Sequence, residues 1–187
     1  MEKVRLGIIG VTGRGGIARY WAEDLRVEIV AGADPSEKSR GIFQKDHPKA
    51  AVYADYREML ERGDIDAVAV TSPDFAHEEQ ATAALLAGKD VFCEKPLAIT
   101  VEGCDNILSA WKKSGRKLMV GFNMRYMNMF RTMKEIVDSG VIGEIKAVWV
   151  RHFVGMGGEF YFHDWHATKK NCTSLLLQKG SHDLDII

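Results

Sequence analysis

Val4-Arg5-Leu6-Gly7-Ile8-Ile9 is followed without a break by Gly10-Val11-Thr12-Gly13-Arg14-Gly15-Gly16-Ile17. An apolar run of strand type that ends on glycines and leads into a helical pattern is the first half of a βαβ unit. Glycine suits such a turn because the chain bends sharply there. Its bare backbone must also approach a pyrophosphate, whose charge is stabilised by the free N–H groups of a helix N-terminus. Gly10, Thr12, Gly13, Gly15, Gly16 and Ile17 are therefore the first candidate cofactor contacts. The spacing is Gly-x-x-Gly-x-x-Gly rather than Gly-x-Gly-x-x-Gly, which predicts a slightly longer loop. Asp34 lies 24 residues after Gly10, near the roughly 20 expected of the acid that binds a ribose 2′-hydroxyl. Asp34 would repel a 2′-phosphate and favours NAD; Ser36, Lys38 and Arg40 just beyond could hold one, which leaves NADP open.

Outward from this loop, Val- and Ile-rich runs alternate with segments of helical period, the signature of a doubly wound parallel α/β sheet. Strands are expected at 4–9, 27–33, 51–53, 67–71, 90–93 and 117–122. Helices are expected at 17–25, from a Ser36 cap to about 46, at 56–62, 75–87 and from a Thr100 cap to 114. Near Asn123 the short βα units stop. Helical period over 129–138 is followed by a long alternating segment, 144–153, that suits a strand with one covered face. A boundary is placed there, giving domains 1–123 and 124–187. A helix over 174–187 would put Gln178, His182 and Asp185 on one face, and Trp111 and Trp149 read as core. The chain stops inside that helical pattern, so either the polypeptide is truncated or residues 124–187 pack on the first domain or on another copy.

Composition narrows the function. Hydrophobic residues make up 46% and charged residues 27% of the 187, an ordinary globular balance. With 25 Lys+Arg against 26 Asp+Glu the net charge is −1, which argues against a nucleic-acid partner. No apolar stretch reaches membrane-spanning length and the first residues do not form a signal peptide, so a cytoplasmic, non-membrane protein is expected. Cys93, Cys104 and Cys172 are too few and too scattered for a disulfide framework. His152, His163, His166, His182 and Cys172 do not have the tight spacing of a zinc site, so no metal is expected.

Glu94-Lys95-Pro96 ends an expected strand, at the edge where open α/β sheets bind ligands. A lysine partly desolvated there can exchange a proton with a substrate hydroxyl near neutral pH.

The segments 71–77 (Thr71-Ser72-Pro73-Asp74-Phe75-Ala76-His77), 84–98 (through Glu94-Lys95-Pro96-Leu97-Ala98), Gly121-Phe122-Asn123-Met124-Arg125-Tyr126 and Ser139-Gly140-Val141-Ile142-Gly143-Glu144-Ile145 resemble the Gfo/Idh/MocA oxidoreductases. The resemblance covers essentially the whole chain. It implies a Rossmann domain followed by the start of an α+β domain with a mostly antiparallel sheet, with NAD(P) and a sugar, polyol or cyclitol bound between them. By the same resemblance Lys95 is the proton donor or acceptor at the reacting oxygen, and Ser72, Pro73, His77 and Glu94 are cofactor neighbours. Asn123 faces the cofactor, Arg125 the substrate, and the Lys95–Pro96 peptide is cis in many members. Relatives associate through the open face of the second sheet, so a homo-oligomer is implied for the full-length protein.

Gln178-Lys179-Gly180-Ser181-His182-Asp183-Leu184-Asp185 resembles the family's Asp-x-Gly-x-His-x-x-Asp helix, in which the His works beside the lysine. Gln178 replaces the first Asp, and an amide cannot act as a base, so proton movement is left to Lys95 and His182, with Asp185 orienting the imidazole. Tyr161, Trp165 and His166 suit the wall of a sugar site. The expected function is therefore an NAD(P)-dependent oxidoreductase passing hydride between a nicotinamide and a secondary alcohol. Two alternatives stay open: an NAD-dependent glycosidase working by transient oxidation, and a dinucleotide-binding regulator without turnover.

Overall fold

A computed structural model describes residues 2–153 and 158–187, which divide into two compact units, Met1–Val120 and Gly121–Ile187. The first carries a six-stranded sheet: β1 (Val4–Ile9), β2 (Val27–Ala33), β3 (Ala51–Tyr53), β4 (Ala67–Val70), β5 (Asp90–Cys93) and β6 (Leu118–Val120). All pairings are parallel and the order is β3-β2-β1-β4-β5-β6. This is the doubly wound Rossmann order, in which the chain reverses direction across the sheet between β1 and β4.

The strands alternate because both faces are covered. In β4, Val68 and Val70 enter one core with Met59, Leu85 and Ile107, while Ala69 joins Leu6, Ile8, Ala18 and Phe43 on the other. The first core is roofed by α3 (Tyr56–Leu60), α4 (His77–Leu86) and α5 (Val101–Ser114), the second by α1 (Ala18–Ala22) and α2 (Glu37–Asp46). Phe43 lies over Gly32 of β2 so closely that a Cβ there would stand 2.4 Å from its ring, which is how α2 approaches the sheet.

The caps act as the sequence suggests. Ser36 Oγ accepts the Ser39 N–H and Thr100 Oγ1 the Gly103 N–H, and Gly115 closes α5 in the left-handed region at φ +66°. The first helix departs from expectation. Residues 13–17 form a 3₁₀ turn and the α-helix proper is only Ala18–Ala22, after which the Asp24 N–H bonds the Trp21 carbonyl and the Val27 N–H the Asp24 carbonyl, turning the chain into β2.

The second unit holds α6 (Asn128–Asp138) and the short α7 (Lys169–Cys172), α8 (Leu175–Gln178) and α9 (Ser181–Asp185). Two expectations are corrected. Residues 144–153 are not a strand: a strand needs a hydrogen-bonding neighbour, and among the described residues none pairs with this segment. Trp149, expected in the core, is 84% exposed on it. The helix over 174–187 is broken into α8 and α9 at Lys179-Gly180, where Gly180 sits so close to the preceding turn that a Cβ would be 2.7 Å from the Leu176 carbonyl oxygen. No helix among the described residues is long and apolar enough to cross a membrane.

Candidate active site

At the switch point the end of β1 is fastened to the end of β4. The Thr71 N–H donates to the Ile9 carbonyl at 2.9 Å, and the Thr71 hydroxyl lies 2.8 Å from the Gly10 carbonyl oxygen. Gly10 has φ +81°, and a Cβ on it would stand 2.7 Å from the Ser72 backbone. A Cβ on Gly15 would be 2.0 Å from the Gly10 oxygen. The loop is thus folded back on itself and against β4 at distances that only glycine permits. Its outer side is open: Cβ positions built on Gly13 and Gly16 meet nothing within 4 Å. A bare backbone with free space above it fits the approach of a pyrophosphate.

Asp34 follows β2 and turns its carboxylate towards this loop. One oxygen accepts the Val11 N–H at 3.2 Å and the other the Ser36 N–H at 2.9 Å. A carboxylate has about four acceptor positions, so capacity remains for two ribose hydroxyls. Thr12 Oγ1 lies 3.0 Å from Ser39 Oγ, which joins the loop to α2. Arg40, one of the residues that could hold a 2′-phosphate, donates instead to the Asp34 and Pro35 carbonyls, and the Ser36 hydroxyl is engaged as a helix cap.

Along the same edge, Glu94 N–H donates to the Val70 carbonyl, so the start of the Glu94-Lys95-Pro96 segment is still pinned to β4. Glu94 and Lys95 are buried, Lys95 at 5% exposure, the Lys95 N–H reaches Glu94 Oε2 at 3.3 Å, and the Lys95–Pro96 peptide is cis. Ser72 Oγ donates to Gln80 Oε1 at 2.5 Å, and Pro73 is half-buried. His77, expected as a cofactor neighbour, is held by backbone on both sides. Its ring is fully buried, with Nδ1 2.7 Å from the Pro96 carbonyl oxygen and Nε2 2.9 Å from that of Ser72, so both polar atoms are committed to backbone.

The second unit gathers its candidates differently from the expected shared helix face. Arg125 takes both Asp185 oxygens, Nε to Oδ2 at 2.7 Å and Nη2 to Oδ1 at 2.5 Å, and this pairing holds the guanidinium pKa above its ordinary value. His182 is buried, edge-on to Phe122 with ring centroids 6.0 Å apart. Gln178 is directed to His166, its Nε2 2.7 Å from the imidazole Nδ1. In this arrangement the amide N–H donates and His166 Nδ1 accepts. Trp165 stacks on His166 at 3.6 Å and Tyr161 meets it edge-on. Asn123 is exposed at the start of a 3₁₀ turn. Among the described residues no group of three or more His, Cys, Asp or Glu side chains could hold a metal.

Sequence reading missed Thr71, which fastens the glycine loop, and Ser39 and Gln80, which anchor Thr12 and Ser72. The one available signal was Thr71 at the end of a buried strand.

A six-stranded Rossmann sheet with a glycine loop at its switch point, an acid after β2 and a buried lysine after β5 defines a dinucleotide-binding domain of the oxidoreductase class. Residues 4–122 match the family described as "Oxidoreductase family, NAD-binding Rossmann fold", and residues 130–187 match the "GFO/IDH/MocA C-terminal domain". The chain belongs to the Gfo/Idh/MocA oxidoreductase family. It is 36% identical over 188 residues to an inositol 2-dehydrogenase of Klebsiella pneumoniae, covering 98% of this chain and 53% of that one. It is 42% identical over 169 residues to an inositol 2-dehydrogenase of Azotobacter vinelandii, with coverage of 88% and 50%. The solved scyllo-inositol dehydrogenase of Lactobacillus casei, with NAD(H) and scyllo-inositol bound, superposes with a TM-score of 0.85 at 29% identity, covering 99% of this chain and 55% of that one. The chain spans about half the length of these relatives.

Proposed function

We propose that this chain supplies the cofactor domain and the first part of the substrate domain of an NAD-dependent dehydrogenase acting on a secondary alcohol of a cyclitol or related polyol. The observation that carries the reading is the shared edge of β1, β2, β4 and β5, where the open glycine loop, Asp34 and Lys95 follow strands of one sheet. The names of the relatives support an inositol as substrate.

In this reading the backbone of 10–17 cradles the pyrophosphate, and Asp34 accepts from the adenosine ribose. Ser72, Pro73 and Glu94 border the same edge, and Asn123 contributes to cofactor binding. The nicotinamide, when bound, supplies the hydride acceptor. The burial of Lys95 disfavours its charged form, so the neutral amine takes the hydroxyl proton as hydride leaves the carbon, with His182 as the second proton-handling group. Arg125, Asp185, Trp165 and His166 are assigned to the substrate, the first two as a fixed charged pair and the last two as a stacked aromatic face. Residues 1–123 and 124–187 then divide the cofactor and substrate tasks, and the full-length protein works as a homo-oligomer in the cytoplasm.

The direct test is absorbance near 340 nm with NAD and either myo- or scyllo-inositol. Growth of the signal is the expected result. One observation favours a second reading: Gln178 stands where relatives place an acid and is engaged with His166. NAD binding without turnover of any polyol would favour a non-catalytic regulator, and sugar release without the 340 nm signal a glycosidase.

A further inference from the structure

The His77 imidazole lies between two backbone carbonyl oxygens, that of Ser72 after β4 and that of Pro96 after β5. A carbonyl oxygen can only accept. A neutral imidazole has one N–H and one lone pair, so in either tautomer one of these two short contacts would set a lone pair against an oxygen. The ring is 0% exposed, which leaves its second nitrogen no route to solvent. Only the doubly protonated ring donates at both ends.

The surrounding charges agree. Asp74 and Glu94 are buried at the same edge, and an imidazolium beside them offsets their negative charge, which lowers the cost of burying it. The other titratable groups of the packed elements are Glu78 and Glu79 in the first turn of α4, Cys104 on α5 and Cys93 on β5. Burial pushes both thiols up and keeps them neutral. The positive end of α4 opposes a cation at His77, but Asp74, Glu78 and Glu79 surround that end with negative charge.

We propose that His77 is an imidazolium clamp, a positioning residue that donates to both carbonyls, ties the Ser72 loop to the Pro96 carbonyl and thereby holds Lys95, the residue next to Pro96, in its buried place. The importance of the clamp for turnover rests on the role given to Lys95 above, whereas its existence does not.

The experiment therefore avoids turnover. In protein labelled with ¹⁵N-histidine, a long-range ¹H–¹⁵N spectrum at neutral pH, with His77 assigned by its loss in His77→Leu, is expected to place both His77 ring nitrogens at imidazolium shifts. One nitrogen at the unprotonated shift overturns the proposal. The second measurement is reductive methylation followed by mass spectrometry. His77→Leu is expected to raise the labelling rate of Lys95 at least about tenfold, while Lys89 stays at the wild-type rate. Lys89 is equally buried but bonded to the Arg62 and Ile65 carbonyls, so it reports global loosening. An unchanged Lys95 rate, or a rise shared by Lys89, overturns the proposal. Failure of the inositol assay would leave both readouts intact.

Discussion

Lys95 shows what a residue gains from its address. A lysine in water is a solvated cation with no reason to exchange its proton near neutrality; the same side chain buried after β5 loses much of that solvation. In the proposed function its role is in the transition state rather than in holding the dinucleotide, which is assigned to the glycine loop and Asp34. Lys95→Ala is therefore expected to lower kcat by roughly 10²–10⁴, the usual range for a lost acid–base group. NAD affinity should stay within about tenfold, or about 1.4 kcal/mol. Steady-state kinetics and calorimetry read the two quantities separately; loss of NAD binding with an unchanged rate at saturating cofactor would reverse the assignment. The identities of Lys95, Asp34 and the glycines were legible because each is a residue type at a characteristic distance from a strand end. The partners were not. That Asp185 pairs with Arg125, 60 residues away, or that Gln178 turns to His166, depends on where loops bring side chains in space.

At the scale of elements, local signals decided most of the outcome. Thr100 starts α5 by accepting the Gly103 N–H at 3.0 Å, and Gly103 admits Glu78 of α4 so closely that a Cβ there would lie 2.5 Å from its carboxylate. The cap thus also sets the end of α5 that meets α4. Thr100→Ala is expected to destabilise the protein by about 1 kcal/mol, a fall of roughly 2–4 °C in Tm for a chain of this size, read by calorimetry. No change would mean that the α4–α5 contact holds the first turn without its cap. Where local signals failed, the failure has a physical cause. Residues 144–153 have the alternation of a strand, but a strand is a pairing rather than a pattern, and alternation cannot say whether a neighbour exists. The period across 174–187 is helical, yet Gly180 allows a break that periodicity does not register.

For the molecule as a whole, charge pairs at the edge opposite the proposed cofactor site tie stability to pH. Arg62 hydrogen-bonds Asp64 and holds its carboxyl down at about 2, and Arg5 likewise lowers Asp66. The unfolded chain, with ordinary carboxyls near 4, binds more protons than the folded one over that interval, so these pairs stabilise fully above about pH 4 and progressively less as pH falls towards 2. Both pairs are partly exposed, so the effect is modest. The urea midpoint is expected to fall below about pH 5, with Asp64→Asn reducing the slope of that fall. An identical acid profile for this variant would remove Arg62–Asp64 from the account.

By itself the sequence determined the parallel α/β layout, the glycine turn, the acid after β2 and the family, because βαβ units are built from short-range periodicity and from turn residues whose chemistry is local. The tertiary structure alone decided that Thr71 locks the glycine loop and that His77 faces inward between two carbonyls. It also decided that Asp185 serves Arg125 and that 144–153 pairs with no strand among the described residues. None of these follows from short-range pattern, because hydrogen-bond direction, burial and the presence of a partner come into being only when the chain has folded.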